Sequence, residues 1–131
     1  MPPPVLDRSE TTLIRWQRVE GAVLFAVAIG GYAGGDAPVA LWLAVIVFFL
    51  PDLSFLGYVF GPKAGAWAYN AVHVYAFGAV VWAVGMVIES PLCAGCGLLW
   101  LAHSGFDRAL GYGLKSTNGF QDTHLGRIGK G

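Results

Sequence analysis

The residues of this sequence best suited to chemistry are histidines and acids inside long hydrophobic segments. His103 and Asp107 are four residues apart, so on a helix they stand one turn apart on one face. His73 and Asp52 lie in two earlier hydrophobic segments. Imidazole and carboxylate groups are ligands for zinc, iron or manganese. We predict that these four side chains bind one or two divalent transition metal ions: Asp52, His73, His103 and Asp107.

Three further residues are candidates for catalysis. Glu20 would be a metal ligand or a general base. Asn70, three residues before His73 and so on the same helix face, would orient a ligand or a water molecule. His124 would gate or complete the site. The alternatives are structural, because a lone histidine in a membrane helix often bonds to a neighbouring helix and Glu20 would simply pair with a nearby arginine.

The hydrophobic segments are long enough to cross a lipid bilayer. Of the 131 residues, 56% are hydrophobic and only 12% are charged, which predicts an integral membrane protein. Each crossing must be helical because lipid supplies no hydrogen bonds, and it needs about 20 residues. We expect an all-α, four-helix bundle forming one domain over residues 1–131, with helices at about 12–34, 37–60, 64–88 and 90–112. The glycine-rich tail, 113–131, predicts a loop over the cytoplasmic mouth of the bundle.

All eight Lys and Arg residues lie at one end of these segments. The first and third connections carry only the acids Asp36 and Glu89. This bias predicts a multi-pass protein of the bacterial inner membrane with both termini in the cytoplasm. Topology and anionic lipid headgroups account for the basic residues, so we expect a lipid bilayer as partner and no nucleic acid. Counting along each helix places the polar residues in one half of the bilayer, in a funnel open to the cytoplasm.

Proline and glycine predict where the helices bend and touch. Pro51 removes one backbone donor and predicts a kink that re-aims Asp52, although an ordinary transmembrane proline kink is the alternative. Small residues four or seven apart allow close helix contact, as predicted here for Gly30 with Gly34, Gly31 with Gly35, and Gly78 with Gly85.

Cys93 and Cys96 form a Cys-x-x-Cys sequence near the start of the fourth segment. A disulfide or redox centre there would face an oxidising compartment. A membrane thiol oxidant, however, needs a second dithiol to relay electrons, and this chain has two cysteines in total. The simpler interpretation is a helix entry of small residues after Pro91.

Several strings of the sequence resemble a bacterial membrane family known as domain of unknown function 4260. They include Pro51-Asp52-Leu53-Ser54, Tyr69-Asn70 with His73, His103-Ser104-Gly105-Phe106-Asp107-Arg108, and Thr123-His124-Leu125-Gly126. The resemblance runs from Arg18 to Gly126 and implies a four-helix membrane protein without assigning an activity. A fainter likeness, limited to an Asp, several His and a His-Ser pair, is to the membrane-bound metal-dependent hydrolases of the YdjM type.

The function predicted from these residues is that of a metal-dependent membrane enzyme. It would be a hydrolase acting on a lipid or amphipathic substrate at the cytoplasmic leaflet. A second interpretation is a transporter component for protons, metal ions or small cations, which would need homo-oligomers to form most pores and polar groups across the bilayer. Between Glu20 and Asp36 the first segment offers almost none. A third is a structural subunit without chemistry, and a fourth is haem ligation by His73 and His103.

Overall fold

Helices occupy all four hydrophobic segments in the structure, a computed structural model that describes residues 7–36 and 38–129. The predicted all-α class is confirmed, but two of the four predicted helices are each divided in two. In chain order the helices are α1 (Arg8–Gly34), α2 (Leu41–Phe49), a 3₁₀ helix (Leu50–Phe60), α3 (Pro62–His73), α4 (Tyr75–Val87) and α5 (Pro91–Leu110). Two short strands follow, β1 (Asp122–Thr123) and β2 (Gly126–Arg127).

Helix α1 begins four residues earlier than predicted because a capping box starts it. The Asp7 carboxylate accepts hydrogen bonds from the Glu10 N–H and from the Arg8 N–H, the latter at 2.6 Å. The Glu10 carboxylate in turn accepts one from the Asp7 N–H at 3.2 Å. Such reciprocal bonds satisfy backbone donors that the first helical turn leaves without partners.

Pro51 changes the second segment from an α-helix to a 3₁₀ helix. Proline has no N–H to bond to the carbonyl four residues back, which here belongs to Val47. That carbonyl instead accepts from the Leu50 N–H and from the Trp100 indole N–H at 2.9 Å. The chain remains one helical rod over Leu41–Phe60, so the predicted kink is a change of helix type that carries Asp52.

The third segment breaks at Val74, which the sequence did not predict. Val74 has an extended backbone, with φ −71° and ψ 145°, and α3 and α4 meet at a bend of 46°. The break releases the His73 carbonyl from the helical pattern, and the Arg108 guanidinium donates to it at 3.0 Å.

Helix α5 is the central element, and it contacts α1, α2, α4 and the 3₁₀ helix. Glycines allow the close approach: a Cβ on Gly78 would lie 2.5 Å from the Leu101 backbone nitrogen of α5. Gly30 and Gly34 have open space at their Cβ positions within the described chain. Helix α1 approaches α5 through Gly21, where a Cβ would lie 2.7 Å from a carbonyl oxygen of α5.

Much of the apolar surface of the described chain faces outward. Leu41–Phe60 is long and apolar enough to cross a membrane, with mean hydropathy 2.1. Only 11% of the residues in its most apolar 18-residue stretch are buried. The bent pair α3 and α4 would supply a second span if both together make one crossing. The core helix of a soluble protein would be mostly buried, so this exposure favours membrane association.

Candidate metal centre

The structure brings the four predicted metal ligands together from three elements. Asp52 lies in the first turn of the 3₁₀ helix, His73 is the last residue of α3, and His103 and Asp107 stand one turn apart on α5. One ligand atom from each side chain lies within 4.8 Å of all the others. This group is called the His/Asp cluster below.

Five of the six separations within the His/Asp cluster are close to the edge length of a tetrahedron around a metal ion, and the sixth, between Asp52 and Asp107, is at most 4.8 Å. The Nε2 atoms of His73 and His103 are 3.1 Å apart. The Asp52 Oδ1 atom lies 3.3 Å and 3.2 Å from those nitrogens, and the Asp107 Oδ2 atom lies 3.6 Å from each. Bonds of about 2.0–2.1 Å to a central zinc ion give ligand-to-ligand edges of about 3.3 Å. The same closeness excludes a haem held between the two histidines, because its iron and macrocycle would have to fit into the 3.1 Å gap.

The His/Asp cluster is buried on one side and open on the other. The side chains of His73 and His103 are 0% and 1% exposed. The Asp107 side chain is 12% exposed, and that of Asp52 is 36% exposed. Solvent or a substrate can therefore reach the cluster past Asp52.

Hydrogen bonding turns the His73 lone pair toward the centre of the cluster. Its Nδ1 atom lies 2.8 Å from the Tyr69 carbonyl oxygen. A carbonyl only accepts, so Nδ1 carries a proton, and in a neutral His73 imidazole the lone pair is then on Nε2. Metal-binding histidines in proteins are commonly held in this way. Within the described residues, the His103 Nδ1 atom is buried without a hydrogen-bond partner.

Tyr69 is a functional candidate that the sequence interpretation missed. Its hydroxyl donates to the Asp107 Oδ2 atom at 3.0 Å, and its ring stacks on the His73 imidazole at 3.7 Å with an interplanar angle of 12°. Tyr69 is four residues before His73, so the shared helix face was visible in the spacing. The contact with Asp107 depends on how α3 meets α5.

Asn70 holds the tail. Its amide makes two hydrogen bonds to the Lys115 backbone, accepting from the N–H at 2.7 Å and donating to the carbonyl at 2.8 Å. The Lys115 ammonium lies 3.9 Å from the centre of the Phe120 ring and 5.1 Å from that of Tyr69. Burial lowers the pKa of Lys115, and the charge of Asp107 partly offsets that shift. Both polar atoms of the Asn70 amide are thus engaged by the tail. The catalytic role of Asn70 stays a prediction.

Glu20 and His124 line a second cleft, together with Arg108 and Gln17. Glu20 is exposed on α1. The His124 imidazole accepts from the Leu114 N–H at 2.8 Å and lies 3.0 Å from the Gln17 side-chain oxygen. The sequence predicted a single funnel, whereas the structure places these residues in a cleft separate from the His/Asp cluster. The catalytic roles of Glu20 and His124 stay predictions.

The two cysteines are free thiols of intermediate burial. The Cys93 thiol lies 3.5 Å from the Val81 carbonyl oxygen of α4. The side chain therefore packs at the contact between α4 and α5, as the interpretation of a small-residue helix entry requires.

The fold and the His/Asp cluster define a class of protein, a small all-α chain with a group of histidine and aspartate side chains arranged as metal ligands. The chain belongs to the family described as domain of unknown function (DUF4260), whose pattern matches residues 14–128. This confirms the resemblance seen in the sequence. No curated protein and no solved structure matches the chain, and the likeness to YdjM-type hydrolases is not shown.

Proposed function

We propose that the His/Asp cluster binds one divalent transition metal ion, zinc, iron or manganese, and that the protein is a membrane-embedded hydrolase. Its substrate would be a lipid or an amphipathic molecule reached from the cytoplasmic leaflet. The observation that carries this proposal is the set of five ligand separations between 3.1 and 3.6 Å. A single ion satisfies all of them, because two-metal sites place their ions about 3.5–4 Å apart and need more ligands.

Charge supports a divalent ion. Two aspartates carry two negative charges, and a histidine that binds a metal ion does so as a neutral imidazole. A divalent cation would therefore leave the buried group without net charge. That balance matters because an unpaired buried charge costs several kcal/mol.

The open side of the cluster supports catalysis. Four protein ligands complete a tetrahedral coordination, so activating a water molecule or polarising a substrate oxygen requires that one ligand gives up its position or that the ion takes a fifth ligand. His73, His103 and Asp107 form the buried base of the site, and Asp52 is the ligand at its accessible edge. Asp52 is the most exposed ligand, so we propose that it gives up its position and that a substrate oxygen approaches the ion there.

An apolar cleft next to the cluster supports an amphipathic substrate. This cleft, about 450 Å³ in volume, lies between α1 and α2 and is lined almost entirely by apolar side chains, including Phe48, Phe49 and Leu99. The rings of Phe48 and Phe49 also contact the His103 imidazole, with centroids 5.1 Å and 5.9 Å apart. An acyl chain in the cleft would bring its polar end to the cluster.

The membrane placement rests on exposure and charge. The outward apolar side chains include Leu41, Val59 and Phe60, which are 80%, 80% and 84% exposed. With every Lys and Arg at one end of the hydrophobic segments, we propose four crossings, with α3 and α4 together making one of them. Both termini then lie in the cytoplasm of a bacterial inner membrane, and Asp52 opens toward that side.

A hydrolysis assay tests the enzymatic part of the proposal. Purified protein is stripped with a chelator, reloaded with zinc, iron or manganese, and incubated with vesicles that contain carboxylic ester or phosphoester lipids. We expect release of product only after reloading, loss of release in Asp52→Asn, and retention in Asp36→Asn, which makes the same change at an exposed aspartate outside the cluster. A reloaded protein that hydrolyses none of these lipids would contradict the hydrolase and leave the metal site standing.

A further inference from the structure

A second cleft of about 340 Å³ lies on the α1 side of the molecule, bounded by α1, the start of α4, the end of α5 and the tail. Arg108 forms its deep end and is only 4% exposed. Glu20 and His124 lie at its exposed rim. The volume is within the range of pockets that hold small ligands.

Arg108 carries a buried positive charge, and no carboxylate within the described residues forms an ion pair with it. Its guanidinium donates to the Tyr112 carbonyl at 2.7 Å and to the His73 carbonyl at 3.0 Å, and it lies 5.7 Å from the centre of the Tyr75 ring. The ion pairs among residues 7–36 and 38–129 all join a histidine to Asp52 or Asp107. Carbonyl oxygens orient the guanidinium but carry no full charge, and the nearby Asp107 carboxylate belongs to the His/Asp cluster.

An anion in the cleft would balance that charge. Arginine has five N–H donors in a fixed fork, and the two carbonyl contacts use two of them. The fork matches the oxygens of a phosphate group, which it binds through paired hydrogen bonds. A buried guanidinium at the deep end of a cleft is therefore suited to a phosphate.

The rim of the cleft has the opposite charge. Glu20 is an exposed acid on α1 with no ion pair within the described part of the chain. His124 adds no positive charge near neutral pH, since both of its ring nitrogens are engaged as in a neutral imidazole. The cleft thus presents a cation at depth and an anion at its mouth.

We propose that this cleft binds a phosphate ester that also carries an ammonium group, with the phosphate on Arg108 and the ammonium on Glu20. A phosphatidylethanolamine headgroup and free phosphoethanolamine share this chemistry. In the proposed orientation the phosphate would lie deeper and the ammonium nearer the cytoplasm. The site is separate from the His/Asp cluster and requires no metal ion.

Calorimetric titration of the detergent-purified full chain tests the proposal. The probes are short-chain phosphatidylethanolamine, short-chain phosphatidylglycerol, which has the phosphate without the ammonium, and free phosphoethanolamine. We expect Glu20→Gln to weaken binding of phosphatidylethanolamine about two- to fivefold, as for an exposed ion pair, and to leave phosphatidylglycerol unchanged. Asp36→Asn, which removes an exposed acid outside this cleft, should change neither affinity.

Arg108→Lys tests the deep end of the cleft, because lysine keeps the charge and loses the fork. We expect both lipids to bind about tenfold more weakly, in a variant whose helical circular dichroism is unchanged. Comparable binding of free phosphoethanolamine would identify a soluble ligand, and binding of the lipid alone would identify a headgroup. The proposal would be overturned if the two lipids bound with equal affinity and Glu20→Gln changed neither affinity. It would also be overturned if none of the probes bound.

Discussion

Single residues outside the His/Asp cluster orient the ligands within it. Tyr69 does so twice, because its carbonyl fixes the His73 imidazole and its hydroxyl holds the Asp107 carboxylate. Partners of this kind set the direction and basicity of metal ligands. The four ligands were predictable from residue type and spacing, whereas Tyr69 was not, since its contact with Asp107 joins residues 38 positions apart.

Replacing Tyr69 by phenylalanine should weaken metal binding while keeping the ring stacked on His73. The lost hydroxyl leaves the Asp107 carboxylate without its donor, and loss of such a partner costs about 10–100-fold in metal affinity. Competition with a chromophoric chelator measures the change. Tyr58→Phe is the matched control, because the Tyr58 hydroxyl has no hydrogen-bond partner within the described residues. Equal affinities in the two variants would contradict the role given to Tyr69.

His124 should make attachment of the tail sensitive to pH. Burial and the nearby Arg108 charge lower the pKa of His124 from its ordinary value of 6.5. A histidine with a lowered folded pKa contributes stability that is present above about pH 6.5 and is lost as the pH falls through the folded value. We expect the melting temperature of the unmodified chain to exceed that of His124→Gln at pH 8 and the difference to shrink at pH 5. A difference that grows on acidification would contradict this sign.

Glu20 and Asn70 show why the site was only partly predictable from single residues. Counting residues along a helix gives depth but not the direction in which a side chain leaves the helix axis. Glu20 has a suitable depth on α1, yet it faces the second cleft. Asn70 shares a helix face with His73, yet its amide reaches the tail. Only the packing of α1 and the tail against α5 determines these directions.

At the scale of helices, the two interruptions differ in how far they could be foreseen. Pro51 lacks an N–H, so a disturbed helix at Asp52 follows from its chemistry alone. No proline or glycine marks the break at Val74. The released His73 carbonyl is stabilised by Arg108, 35 residues away, and a bond of that range cannot be read from local sequence. The break lies directly after a proposed ligand, where it ends α3 at the cluster.

Close contact between α4 and α5 should make Gly78 intolerant of a side chain. A Cβ there would lie 2.5 Å from the backbone of α5, and overpacking of this kind costs about 1–3 kcal/mol. We expect Gly78→Ala to lower the melting temperature in detergent. Gly30→Ala is the matched control: its Cβ meets open space in the described structure, so a gain of up to about 1 kcal/mol from helix propensity is expected. Equal effects at both positions would contradict the helix contact.

For the whole molecule, the proposed topology places the α1–α2 connection outside the cell membrane and the tail inside. Asp36 and Asn118 are exposed residues in these two regions. Single cysteines at these positions, in a chain whose Cys93 and Cys96 are serine, should differ in their access to a membrane-impermeant thiol reagent. We expect labelling of Asp36→Cys in intact spheroplasts and labelling of Asn118→Cys only after lysis. The reverse pattern would invert the topology, and labelling of both in intact spheroplasts would contradict it.

The content of metal in the purified protein tests the proposed centre most directly. Elemental analysis of the detergent-purified chain, prepared without chelators, should find about one zinc, iron or manganese ion per chain. His103→Ala and Asp107→Ala should lose the ion while keeping their helical circular dichroism, and His124→Ala should retain it. An unmodified chain without a transition metal, or a His103→Ala variant that holds as much metal as the unmodified chain, would contradict the metal centre.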